Sequence, residues 1–484
     1  MNTAIEKKKV EYGDFQTPKA LADEVCQKLV KLGVVPDVIV EPTCGLGTFL
    51  ESAASIFPPA ARLIGVEINS EYLVELRNKA KSFPHPNNIE IREGDFFKFD
   101  WENLLGSVSG EILVLGNFPW VTNATQGAIG GSNLPQKTNF QNLSGLDAMT
   151  GKSNFDISEF MLIKVSEWFH LRKGHMAMLA KTSVARKFLS HLHKSKKGMS
   201  SSAIYRIDAM KYFGAAVDAC LLYCRFDPSM HNHDYDVYDS LSGEIEYRVG
   251  HRHGLTIKDL DTFETLDFLM GNSSAKWRSG IKHDCSEIME LTEKDGEFFN
   301  GLGERVEIEH ELLYPLIKGS DVANGRVSET GRFVLVTQKS VGEETKPIRM
   351  FAPKTWAYLE THSKYLDNRK SKIYQKNPRF SIFGVGSYTF APWKIAICSL
   401  YKNLNFQFVG QIRNKPAVFD DTVYFLSFEG YEEAKEVFDF LHSEDVQRFL
   451  SALIFWDDKR PIKTSILNNL KIINPRTIVQ QEMF

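Results

Sequence analysis

No apolar run in this chain reaches the ~18 residues that a helix needs to span a bilayer, so no membrane-spanning segment is expected. The opening Met1–Lys9 places no apolar core behind Lys7, Lys8 and Lys9, so no secretory signal is expected there. Cysteine is scarce: six residues in 484 are too few for a disulfide scaffold, and a reducing cytoplasm fits. Cys220 and Cys224 fall on one face of an expected strand with no second Cys/His pair nearby, so core packing is expected there and no metal site. A GxGxxG pyrophosphate fingerprint is also missing, because bulky side chains begin at Phe49, directly after Gly47-Thr48. That disfavours NAD and favours a nucleoside ligand without phosphates. Net charge is small, at −3. With 43% hydrophobic and 25% charged residues, the composition is that of a globular protein of two or three domains.

What is present is a series of short apolar strands, each ending in a polar or acidic residue. Tyr12-Gly13-Asp14-Phe15-Gln16-Thr17-Pro18 precedes a helical pattern with Leu21, Val25, Leu29 and Val30 on one face, and Thr17 with Pro18 reads as an N-cap followed by a first-turn proline. Val38-Ile39-Val40-Glu41 then runs into Pro42-Thr43-Cys44-Gly45-Leu46-Gly47, a glycine turn that opens a helix through Ala54. A second strand ends at Glu67, where an acid holds a ribose diol in nucleotide-binding α/β folds; a merely solvated strand-end carboxylate is the plainer alternative. The strand Ile89–Glu93 ends in Gly94-Asp95-Phe96, so Asp95 can accept from an adenine amino group while Phe96 packs on the ring.

The stretch that organises the rest is Glu111-Ile112-Leu113-Val114-Leu115-Gly116-Asn117-Phe118-Pro119-Trp120. It reads as a buried parallel strand that ends abruptly in an amide, a proline and a large aromatic. Ligands of open α/β sheets bind outside the carboxyl ends of the strands. There, the Asn117 side-chain oxygen and the Phe118 carbonyl offer two acceptors, Pro119 restrains Phe118, and Trp120 offers a flat face. Together they suit an exocyclic amino group on a planar ring, such as N6 of adenine. A strand end followed by an ordinary turn, with Trp120 in the core, is the other reading.

Downstream, Val121–Ser153 is rich in Gly, Asn, Ser, Thr and Gln and reads either as a mobile loop closing over substrate or as a disordered insertion. Asp156 and Glu159 open an amphipathic helix as pocket-shaping or capping groups, and Gly174–Ala180 reads as a fifth strand. Charge is unevenly spread. Leu171–Ile207 carries nine Lys/Arg and no acid, and Lys364–Lys415 carries ten against Asp367 alone, which suggests a polyanion partner. A boundary is expected near Asp227–Asp234. Beyond it, Arg369, Lys370 and Lys372 interleave with Tyr374 and Phe380 in a pattern suited to phosphate contacts.

From Tyr12 to about Phe226, motif by motif, the chain resembles the γ-class adenine-N6 DNA methyltransferases of bacterial restriction–modification systems. The resemblance implies an α/β fold: a Rossmann-like S-adenosylmethionine-dependent methyltransferase domain over residues 1–227, then a C-terminal mixed α+β target-recognition domain over 228–484. By that resemblance Thr17 belongs to the N-terminal cofactor motif, and Glu41, Cys44, Gly45 and Gly47 hold the methionine part of S-adenosyl-L-methionine. Glu67 takes the ribose hydroxyls, Asp95 with Phe96 takes the cofactor adenine, and Ile68 is a further cofactor-binding residue. Asn117, Phe118, Pro119 and Trp120 match the catalytic motif, and Phe213 matches the aromatic that stacks on an extruded base, with core packing its competitor. Phe118 stands where the family has proline, so packing must fix the backbone there.

The implied reaction is sequence-specific methyl transfer to N6 of a flipped-out adenine in double-stranded DNA, in the cytoplasm, with a separate restriction endonuclease or defence-system protein as partner. A nuclease in the same chain is disfavoured, because the cofactor motif begins within the first twenty residues. Cytosine-N4 methylation is the nearest rival, and Asn at position 117 favours adenine. RNA or protein-glutamine methylation is disfavoured by the basic C-terminal half. A catalytically silent recognition subunit is disfavoured by the intact Glu41, Glu67, Asp95 and Asn117 set.

Overall fold

The computed structural model describes residues 16–57, 61–120, 156–273 and 275–472. The expected loop Val121–Ser153 and the stretch Tyr12–Phe15 lie outside these residues. The chain divides into two compact units, Met1–Leu260 and Asp261–Phe484.

The first unit is built on a ten-stranded sheet. In chain order its strands are β1 (Val38–Glu41), β2 (Arg62–Glu67), β3 (Ile89–Glu93), β4 (Ile112–Asn117), β5 (Gly174–Lys181), β6 (Met199–Ile207), β7 (Ala219–Phe226), β8 (Tyr235–Tyr238), β9 (Ile245–Arg252) and β10 (Leu255–Ile257). They lie side by side in the order β10-β9-β8-β6-β7-β5-β4-β1-β2-β3. Strands β1 to β5 pair in parallel, whereas β7 enters antiparallel between β5 and β6. β1 is buried along its whole length, and β4 and β5 are buried except at their last residue; this is why they read as unbroken apolar runs.

Helices α1 (Lys19–Lys31) and α2 (Thr48–Ile56) bury Leu21, Val25, Leu29, Phe49, Leu50 and Ala53 in one core with Ile39, Leu63, Leu113, Leu115, Leu179 and Leu221 of the sheet. Further along come α3 (Ser70–Lys79), α4 (Trp101–Gly106), α5 (Ile157–Glu167), α6 (Thr182–Lys194) and α7 (Ala209–Phe213). Cys220 and Cys224 are buried on β7, where burial pushes the Cys220 thiol up to about 12.

Two expectations are corrected. Thr17 does not cap α1: Pro18 occupies the cap position, and its carbonyl accepts from Leu21 and Ala22 N–H. Strand β4 ends at Asn117, as expected, and carries it within the sheet, paired with Leu179. The chain does not leave the first unit near Asp227, because β8 pairs with β6, β9 and β10 extend the same sheet to Ile257, and the unit runs to Leu260. The second unit holds a six-stranded and a four-stranded sheet among short helices, a mixed α+β composition. None of the described helices is long and apolar enough to cross a membrane.

Candidate active site

The carboxyl ends of β1, β2, β3 and β4 bring Glu41, Glu67, Asp95 and Asn117 to one edge of the sheet. Glu41 ends β1 and is only 4% exposed; its Oε2 accepts the Leu50 N–H at 3.2 Å. The turn after it is tight. Cys44 N–H donates to Val66 O at 2.9 Å, and Gly47 N–H to Cys44 O at 2.7 Å. Gly45 and Gly47 have φ of +52° and +74°, which a side chain would strain, and a Cβ on Gly47 would run into Leu76. The first turn of α2 thereby directs the Leu50 N–H back at Glu41. Burial pushes the Glu41 carboxyl well above the usual range; the Leu50 N–H opposes this and nearby Glu67 adds to it. Burial likewise raises the Cys44 thiol, reinforced by Glu41 and Glu67.

The Glu67 carboxylate gathers three backbone donors: Gly45 N–H at 2.8 Å on one oxygen, Ile68 N–H at 2.9 Å and Asn69 N–H at 2.8 Å on the other. It bridges the glycine turn and the end of β2, and Ile68 beside it is 50% exposed. Asp95 accepts the Phe97 N–H at 3.0 Å and lies 3.5 Å from Lys98 Nζ. Of the two neighbouring rings, Phe96 is the buried one and Phe97 the more exposed.

Phe118 points into the core, 1% exposed, with its ring edge-on to Phe96 at 5.5 Å. Phe96 in turn meets Trp101 at 5.6 Å and Trp168 at 6.3 Å. This aromatic packing is the restraint that a second proline would otherwise supply. The Asn117 amide donates through Nδ2 to Thr17 Oγ1 at 3.4 Å, and its backbone carbonyl accepts from Thr43 Oγ1 at 3.4 Å. Thr17 is thus tied to Asn117 rather than to a helix cap. The Trp120 ring meets Phe213 at 5.2 Å between centroids and 67° between planes. Phe213 reaches it from the end of α7, just before Gly214 turns the chain at φ +64°.

In the second unit the three cations singled out in the sequence part company. Arg369 is corrected from a surface phosphate contact to an internal tie. Its Nε donates to Leu366 O at 2.7 Å, its Nη1 to His283 O at 3.1 Å and Ser381 O at 2.7 Å, and its guanidinium lies 3.6 Å from the Tyr374 ring centroid. Lys370 and Lys372 are exposed. Nearby Arg379 pairs with Asp367, and buried Lys394 donates to Ala391 O and Ala417 O, where burial pulls its pKa down to about 7. The acid-free run Leu171–Ile207 is also partly neutralised, by acids from elsewhere: Lys173 by Asp227, Lys181 by Asp156, Arg206 by Glu246.

Sequence reading passed over Thr43 and Lys181. Thr43 gives no local signal beyond its place in the turn. Lys181 does give one, as a lone cation closing the otherwise buried strand β5. Asp156 caps α5, accepting from the Ser158 N–H at 3.2 Å.

An antiparallel β7 inserted between β5 and β6 sets this sheet apart from dinucleotide-binding relatives of the doubly wound fold, and places the first unit in the Rossmann-like methyltransferase class. No family model matches the chain. The type II methyltransferase M.NspV of Nostoc sp. is 55% identical over 469 residues, covering 97% of this chain and 98% of that protein. The type II methyltransferase M.CvrRI of Paramecium bursaria Chlorella virus XZ-6E is 31% identical over 120 residues, or 25% of this chain and 27% of that one. Among solved structures, the type IIL restriction–modification enzyme MmeI in complex with DNA is similar at 13% identity and a TM-score of 0.47, covering 87% of this chain and 62% of that one. The chain belongs to the type II methyltransferases, the methylating enzymes of restriction–modification systems.

Proposed function

We propose that this protein transfers a methyl group from S-adenosyl-L-methionine to N6 of an adenine turned out of double-stranded DNA. The observation that carries the reading is the Asn117–Trp120 motif at the end of β4. Its amide is tethered by Thr17, its backbone by Thr43 and Lys181, and its Trp120 ring lies against Phe213. The neighbouring residues fit the methyl donor: buried Glu41 suits the cationic methionine end, Glu67 the ribose diol, and Asp95 with half-exposed Ile68 the adenine.

When bound, the donor supplies an electrophilic methyl group on a sulfonium. The protein's part is positioning and charge stabilisation. The amino lone pair of adenine is delocalised into its ring. The Asn117 side-chain oxygen and the Phe118 carbonyl accept the two amino hydrogens, which favours a pyramidal nitrogen with its lone pair freed. These bonds strengthen toward the transition state, so they act on rate more than on affinity. Extruding the base costs a few kcal/mol of stacking, which the Trp120 and Phe213 faces offset. Lys370 and Lys372 contribute phosphate contacts from the second unit. Asn rather than Ser at position 117 favours adenine over cytosine N4. Membership of a restriction–modification family makes a separate endonuclease acting on the same DNA the partner class that follows, in the cytoplasm.

Nucleoside mass spectrometry of DNA from a methylation-free host expressing this protein tests the base assignment. N6-methyladenine is the expected product; N4-methylcytosine would keep the mechanism and overturn the base.

A further inference from the structure

Lys181 is the last residue of β5, opposite Ala219 of β7 and two residues beyond Leu179, the register partner of Asn117. Its ammonium makes two directed contacts. One is to the backbone carbonyl of Trp120, at 3.2 Å; the other is to Asp156 Oδ2, at 2.6 Å. Asp156 is itself committed, since its other oxygen accepts from Ser158 N–H and, at 2.7 Å, from Ser158 Oγ at the start of α5. Both partners are buried, and the Lys181 side chain is only 21% exposed. A shielded ammonium held by a carboxylate and a carbonyl has its position set by both, and in turn sets theirs.

The consequence bears on Trp120. Its carbonyl is pinned from the β5 side, while its ring rests on Phe213 from the other. Asn117 is fixed independently, through Thr17 and Thr43. The turn between them is restrained by Pro119 and by the packing of Phe118 on Phe96, because position 118 carries Phe instead of a second rigid ring. We infer that Lys181 is a positioning residue for methyl transfer: bridged to Asp156, it holds the Trp120 backbone, and so keeps the Phe118 carbonyl and the Trp120 ring in register with the reacting base. The inference rests on the function proposed above. It adds a residue that touches neither donor nor base and acts through the motif.

The test uses the full-length protein, tritiated S-adenosylmethionine and unmethylated genomic DNA under single-turnover conditions, with Lys181→Met, Lys181→Arg and Asp156→Asn compared. Small misplacements of reacting groups cost about 100-fold in rate. Lys181→Met is therefore expected to lower the single-turnover rate about 100-fold while S-adenosylmethionine affinity stays within about twofold, because Glu41, Gly45 and Glu67 are held by other bonds. Lys181→Arg, which keeps the charge, should recover part of the rate, and Asp156→Asn should fall between the two. Wild-type rate in Lys181→Met overturns the inference. So does a loss of rate matched by an equal loss of donor affinity, or no recovery in a folded Lys181→Arg, since either marks a purely structural role. Asn117→Ala separates the two claims: normal turnover there defeats the proposed function itself, whereas an inactive Asn117→Ala with a normal Lys181→Met defeats only this inference.

Discussion

Donor binding should release a proton, and Glu41 should be its source. In the free protein the Glu41 carboxyl is buried and its pKa lies well above the usual carboxylate range, chiefly from desolvation. A methionine end carrying a sulfonium and an ammonium favours the ionised carboxylate, so binding drives the proton off. One pKa unit of such coupling is worth about 1.4 kcal/mol, a factor of ten in affinity. S-adenosylmethionine affinity should therefore rise by up to about tenfold per pH unit below the Glu41 pKa, then level off above it. The stability sign runs the other way. A carboxyl whose folded pKa is raised contributes stability in full below its unfolded value, and loses it as pH rises through the folded value. Without donor the protein should lose stability over that window, and saturating donor should restore it. Glu41→Gln should flatten the affinity profile and, at the high-pH end, weaken binding by the ~1.5–3 kcal/mol of a charged hydrogen bond. Calorimetric titration in two buffers of different ionisation enthalpy counts the proton directly. No proton released by the wild type, or a profile unchanged by Glu41→Gln, would refute the assignment of Glu41 to the cationic end.

Other outcomes follow from the same geometry. Asn117→Ala should abolish tritium transfer to DNA while leaving donor affinity nearly intact, because its acceptor matters most as the amino nitrogen becomes pyramidal. Neutralising exposed Lys370, Lys372 and Lys376 together should make the log–log salt dependence of DNA affinity shallower, by up to about 2.7 at ~0.9 per phosphate contact. Arg369→Met should instead lower the melting temperature, since three backbone carbonyls lose their donor. Lys394, with its pKa pulled from 10.5 to about 7, holds fewer protons folded than unfolded between those values. Stability should rise by up to about 1.4 kcal/mol per pH unit across that window, and denaturant titration of Lys394→Met should show the increment gone.

Much of the first unit was legible because its signals are local. Strands β1, β2, β4 and β5 lie inside the sheet and are largely buried, so each is written as a mostly apolar run wherever it stands in the chain, whereas the edge strand β3 alternates apolar and charged residues. Gly45 and Gly47 are called for by backbone dihedrals within a single turn, and Asn117-Phe118-Pro119-Trp120 is contiguous. The need for packing at Phe118 could be reasoned from its missing ring. That Phe96 supplies the packing could not, since the two lie on different strand ends.

Charge was the least legible quantity, for a physical reason. A count of cations along the chain carries no information about which acids fold against them. Arg369 and Lys370 are neighbours in sequence, yet the first is drawn inward by carbonyls of His283 and Ser381 and the second is left exposed. Lys181 belongs to a stretch without acids, and the fold supplies Asp156 to it across a gap of 25 residues. Local apolar runs and the glycine turn determined that an α/β sheet edge would form with Glu41, Glu67, Asp95 and Asn117 on it, and the resemblance of those motifs pointed to a methyltransferase. Which side chains hold that edge in place depends on contacts between distant segments, and only the tertiary structure decided those.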